Sequence, residues 1–130
     1  MTDDQTRDLI ERFWRAIAAR DWETVTDMLD PEFVCEWPQS RERIRGRDHF
    51  VAVNRDYPGE WRIAVQRIIA EGARAASEVH VAIAGRVDVA VSFYEVRDGR
   101  IVREIDYWPE SYPAPRWRAH LVEAMSDQEA

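Results

Sequence analysis

The sequence predicts an α+β domain, helices first and one antiparallel sheet second. Three observations carry this. Apolar residues recur at helical spacing from Leu9 to Tyr57. From Trp61 onward the pattern changes to four strand-length runs, separated by the dipeptides Glu71-Gly72, Gly85-Arg86 and Asp98-Gly99. The whole chain, residues 1–130, is the length of one domain with a real core, and it contains no repeat, linker or low-complexity stretch.

The elements follow in order. "TDDQ" at Thr2–Gln5 fits a capping box, with acids where the helix dipole favours them. Leu9, Ile10, Phe13, Trp14 and Ile17 then form one apolar face. Asp21 caps a second short helix carrying Val25, Met28 and Leu29, and Pro31 is expected to break it. "EFVCEW" reads as a short strand and "PQSRERIRG" as an irregular connection. A third helix is expected from Arg47 to Tyr57, and "YPGEW" is a turn. The four runs Trp61–Ala70, Ala73–Ala84, Val87–Arg97 and Arg100–Trp108 make an antiparallel meander, with Asp98-Gly99 the strongest hairpin signal. "ESYPAP" leads into a short amphipathic segment, "RWRAHLVEAM".

Composition excludes several functions. Hydrophobic residues make up 45% of the chain, which rules out a disordered segment. A net charge of -7 argues against nucleic acid and against an anionic membrane surface. No apolar run reaches the ~18 residues needed to span a bilayer, and the polar N-terminus is unlike a signal peptide, so a soluble cytoplasmic protein is expected. Cys35, the one cysteine, reads as a small buried filler. His49, His80 and His120 show no metal-ligand spacing, and no phosphate loop or nucleophile elbow is present, so no metal or cofactor is expected.

Residues equidistant from a two-residue turn pair and share a face. Counted that way from the three turns, Trp61, Ile63, Val65, Ala82, Val89, Val91, Phe93, Val102 and Trp108 fall on one face, with Glu78, His80, Glu104 and Asp106. Val79, Val81, Ser92, Tyr94, Ile105 and Tyr107 fall on the other. The helices are expected to cover the more aromatic first face. Asp106 and His80 would then point inward on either side of Val91, roughly 10 Å apart. A buried carboxylate must be paired, hydrogen-bonded or neutral, and an apolar pocket should raise the pKa of Asp106. A bulge in any strand would reverse these faces.

The stretches "FWRAIAARDWETVTDMLDPEFVCEWPQSRERIRGRDHF" and "FYEVRDGRIVREIDYWPE" resemble the nuclear transport factor 2-like superfamily, a cystatin-like α+β cone. Within it the chain is similar to the SnoaL-like polyketide cyclase and ketosteroid isomerase branch. The resemblance implies three N-terminal helices on a curved sheet, a conical pocket for an apolar small molecule, and a homodimer through the sheet. It implies proton transfer, aldol cyclisation, isomerisation or epoxide opening by acids on the inner sheet face, or ligand binding alone. The isomerase pattern asks for an Asp base with a Tyr and a second acid, and the counting leaves Tyr94 and Tyr107 outside. The epoxide hydrolase pattern asks for an Asp-Arg-Asp set, and no Arg is placed inside.

The candidate catalytic residues are therefore Asp106 and His80. The candidate lining is Trp14, Trp37, Tyr57, Trp61, Ile63, Glu78, Val91, Phe93, Glu104 and Trp108, with Gln39, Ser40 and Asn54 near the mouth. Tryptophans are more often core than ligand platform, but their number here suits a pocket for flat, apolar molecules. The expected activity is cofactor-independent acid–base chemistry on an apolar carbonyl metabolite; the alternative is a non-catalytic binding or dimeric interaction module.

Overall fold

The computed structural model describes residues 1–126. Helix α1 (Asp3–Ala18) opens with the expected capping box, Thr2 accepting from the Gln5 amide and Gln5 returning the bond. Its buried side chains include Leu9, Ile10, Phe13, Trp14 and Ile17. Each apolar side chain so buried contributes roughly 1.5–3 kcal/mol, which fixes the helix on the sheet. Asp21 caps α2 (Trp22–Met28) through the Thr24 amide. Helix α3 (Arg47–Arg55) buries Phe50, which stacks on Phe13 and meets Phe33 edge-on.

The sheet has six strands, in the order β2-β1-β6-β5-β4-β3. Strand β1 (Leu29–Trp37) begins earlier than expected and runs through Pro31, so α2 ends before that proline. Part of the connection after it forms β2 (Glu42–Arg45), paired antiparallel to β1. Strand β1 also lies parallel to β6, which joins the first half of the chain to the meander. The meander is β3 (Trp61–Glu71), β4 (Arg74–Ile83), β5 (Arg86–Arg97) and β6 (Arg100–Tyr107). Helices lie against one sheet face and leave the other uncovered. No helix among the described residues is long and apolar enough to cross a membrane.

The face assignment needs correction in two strands. The β5–β6 turn is Asp98-Gly99 as expected, both residues at positive φ. Beyond it, Val96 pairs with Ile101 but Glu95 pairs with Arg103, so Val102 is an extra, unpaired residue. Gln66 is likewise extra in β3, between Val65 opposite Val79 and Arg67 opposite Glu78. Each bulge shifts the register by one and reverses the facing beyond it. The β4–β5 turn is Ala84-Gly85 rather than Gly85-Arg86, a change of two in register that keeps the parity. Asp106 therefore pairs with Ser92, and Glu104 with Tyr94. Ser77, Val79, Ala90, Ser92 and Tyr94 are buried beneath the helices. His80, Glu78, Val91 and Phe93 stand on the uncovered face.

Candidate active site

The helices and the inner sheet face enclose a cavity of about 870 Å³. Its walls include Trp14, Ile17, Phe50, Trp61, Ile63, Val81 and Trp108. Its polar lining includes Asn54, Tyr57, Gln39 and Ser40 toward the opening, and Glu104 and Asp106 on the sheet. Pockets of this size, largely apolar with a few convergent polar groups, are the usual form of a small-molecule site.

Asp106 is almost wholly buried and held by three donors. The Ser92 hydroxyl donates to Oδ1 at 2.6 Å. The Trp37 indole N–H donates to Oδ2 at 2.9 Å, and the Cys35 thiol lies 3.4 Å from the same oxygen. The register accounts for this set: Ser92 is the cross-strand partner of Asp106, and Cys35 and Trp37 come from the neighbouring β1. Three donors on one carboxylate fix its orientation.

Glu104 sits one inward position earlier on β6, only 1% exposed, and its Oε1 has no hydrogen-bond partner. Burial holds this carboxyl well above the ordinary range, and the charge of Asp106 and the hydrogen bond to it add to the rise. The two acids thus make an asymmetric pair: an anchored Asp106 and a proton-retaining Glu104. Burial thus raises the carboxyl of Glu104, a residue that the sequence reading placed only in the lining.

Behind the pair lies a second polar chain. The Trp14 indole donates to the Tyr94 hydroxyl at 2.7 Å, and Ser77 lies 2.7 Å from the same oxygen. Burial pushes the Tyr94 phenol well above its usual value, and nearby Glu104 and Asp106 add to this. Tyr94 therefore stays neutral. Cys35, Glu104 and Asp106 bring their ligand atoms within 4.8 Å of one another. Burial pushes the Cys35 thiol far up, and in this structure it faces Asp106 as a hydrogen-bond donor.

Of the residues expected in the pocket, Asp106, Trp14, Trp37, Tyr57, Trp61, Ile63, Glu104 and Trp108 line it. His80, Glu78, Val91 and Phe93 do not. His80 bonds Glu78 at 2.9 Å on the outer face, and Arg67 bridges the same carboxylate at 3.0 Å. Sequence reasoning missed Ser92, Ser77 and Tyr94, because the bulge at Val102 reversed their strands relative to β6. It took Cys35 only as filler. Gln39 has a structural use, accepting from the Trp108 backbone amide. Arg86 reaches the lining but is ion-paired with Asp88 at 3.0 Å.

A SnoaL-like domain model matches residues 10–104. The chain belongs to the SnoaL-like family. A provisionally assigned ketosteroid isomerase from Kribbella flavida is 37% identical, with 98% of this chain and 94% of that one covered at a TM-score of 0.93. An epoxide hydrolase of the LEH-like type from M. tuberculosis is 26% identical, with 82% and 84% covered at a TM-score of 0.71. A provisionally assigned polyketide cyclase from Xanthomonas campestris, at 21% identity and a TM-score of 0.72, shares the fold, with 84% and 93% covered. No curated protein matches the chain. This SnoaL-like domain thus shares its nuclear transport factor 2-like fold with isomerase-, cyclase- and epoxide hydrolase-type proteins.

Proposed function

We propose that this SnoaL-like protein is a cofactor-independent acid–base enzyme acting on an apolar, carbonyl-containing small molecule. One observation carries the reading. Two carboxyl groups meet on the inner wall of a tryptophan-lined cavity, neither bonded to an arginine among the described residues, and one keeps a buried oxygen without a partner. A pair in which one acid is anionic and its neighbour neutral can serve as base and acid at once. In the proposed step Glu104 gives its proton to the carbonyl oxygen of the ligand. Asp106 takes a proton from the adjacent carbon. The product is an enol, the pair keeps its single negative charge, and reversing the step at another carbon moves a double bond. Trp37, Ser92 and Cys35 hold Asp106 in place, and the aromatic walls favour a flat ligand body.

The same reading includes a homodimer through the uncovered sheet face. Its apolar row differs from the one expected. Ile69, Ala76, Phe93 and Ile105 are successive cross-strand neighbours, with Val91 and Tyr107 beside them. Ile69 is 65% exposed and Phe93 49%, and contiguous exposed apolar residues mark interfaces.

The test does not require the natural substrate. A flat ketone such as 2-tetralone is incubated with the protein in deuterated water, and deuterium next to the carbonyl is followed by mass spectrometry. Exchange above the buffer background, lost in both Asp106→Asn and Glu104→Gln, is expected. A panel of flat ketones that bind the pocket yet exchange no faster than in buffer would instead make this a binding module.

A further inference from the structure

Beyond Trp108, whose amide is held by Gln39, the chain leaves the sheet. Pro109, Glu110 and Ser111 line the cavity rim, and the segment then runs to a short 3-10 helix, Arg116–Leu121. No residue of that helix is buried. Tyr112 is 75% exposed, Trp117 70%, Leu121 69% and Met125 67%. Among the described residues, no side-chain hydrogen bond or ion pair ties residues 110–125 to the body. Arg118 does no more than lie over the ring of adjacent Trp117.

A single 3-10 turn is not stable by itself, and ordering a segment costs conformational entropy that its contacts must offset. Yet the Kribbella flavida relative superposes over 98% of this chain, a span that takes in most of the arm. Beyond Ser111 that shared course is held by no side-chain hydrogen bond or ion pair to the body among the described residues, which points to contacts outside the chain.

We propose that residues 110–125 form an exchanged arm, which docks on the outer sheet face of a second copy with Trp117 as its anchor. The inference rests on the dimer reading above and extends it. Area supports a second copy: one aromatic side chain can bury about 150–250 Å², so the arm offers on the order of 500 Å². Two arms on two matching faces then approach the roughly 1,600 Å² of a standard stable interface. The seat is apolar: exposed Phe93 stands between Ala76 and Ile105 on the outer face, with Ile69 beyond Ala76, and gives Trp117 a surface to cover. A twofold arrangement uses both surfaces on both copies.

The experiment places the photocrosslinker p-benzoylphenylalanine at position 117 in the full chain and mixes isotopically light and heavy copies. Light scattering gives the mass before irradiation. The expected result is a dimer and, after irradiation, a light–heavy product of twice 15.3 kDa joined to a peptide of β3–β6. Trp117→Ala with Leu121→Ala should weaken the dimer tenfold or more. A dimer whose crosslinks stay within one chain overturns the arm and leaves the sheet dimer standing; that pattern describes a lid over its own pocket. A dimer with no crosslink above background also overturns the arm. A monomer at all concentrations overturns both readings.

Discussion

The two faces of the sheet carry the same kind of residue in opposite circumstances. On the outer face Glu36 is bound by Arg103 and by Arg43 at 2.8 Å, and these partners hold its carboxyl below the ordinary range. Glu78 is likewise shared between Arg67 and His80. On the inner face Glu104 and Asp106 have each other, an indole, a hydroxyl and a thiol, but no hydrogen-bonded cation among the described residues. The outer acids sit near water with counter-charges, where such pairs are worth little and cost little. The inner acids are buried in a place where a second charge is expensive. One carboxyl therefore keeps its proton, and that retained proton is what the pocket can use. The lesson is that the partner set, more than the residue type, separates a site from a solvated surface.

The largest effect that sharpens this comparison falls on Asp106. Asp106→Asn should lower ketone exchange by about 10²–10⁴-fold, the usual contribution of an acid or base. Its stability should stay within about 1 kcal/mol of wild type, because the amide oxygen can accept from Trp37 while Ser92 rotates to accept from the amide nitrogen. Calorimetry and exchange on the same sample check both halves. A loss of several kcal/mol would mean that Asp106 is structural.

Next comes Trp37→Phe. It removes one donor to an anionic acceptor, an interaction worth roughly 1.5–3 kcal/mol. Urea unfolding should show that loss, and exchange activity should fall along with it because Asp106 is less well held. Full activity in this variant would mean that the indole does not position the carboxylate.

Glu104→Gln should change the pH dependence of stability. Folded Glu104 holds its proton to higher pH than the unfolded chain does, whose glutamates titrate near about 4.3. Between those two values the native state binds more protons, so its stability falls as pH rises. Below the unfolded value both states are protonated and the penalty disappears. The Gln variant lacks this term. Thermal melts should therefore show its advantage over wild type growing from about pH 5 upward until Glu104 ionises, and a pH-independent difference would count against a retained proton.

The smallest effect belongs to the outer face. His80→Gln should cost about 0.2–1 kcal/mol, as expected for a half-exposed pair, and leave exchange unchanged. Its effect should add to that of Asp106→Asn, since the two residues stand on opposite faces. Strong non-additivity would break the division between the faces.

Much of this was legible in the residues. The capping box, the apolar stripe of α1 and the Asp98-Gly99 turn follow from local chemistry and stand as read. The inward direction of Asp106 and Glu104 also emerged, although by a route that placed His80 and Val91 beside them. The failure has a physical origin. Bulges at Gln66 and Val102 leave no local sequence mark, since neither position carries the glycine that would announce one. Face parity passes through every strand, so the one silent insertion at Val102 was enough to put Ser92 and Tyr94 on the wrong side, while the one at Gln66 returned Trp61 and Ile63 to the side of Asp106. Strand β1 was harder still, because its pairing with β6 is parallel and non-local. Without that pairing nothing in "EFVCEW" says that Cys35 and Trp37 meet Asp106.

The retained proton is the central claim, and carboxyl-carbon NMR on protein labelled at its glutamate side chains measures it directly. The account predicts one glutamate resonance that stays in the protonated position at neutral pH and is absent from the Glu104→Gln spectrum. Glutamates that all titrate in the ordinary range near about 4.3 would contradict it.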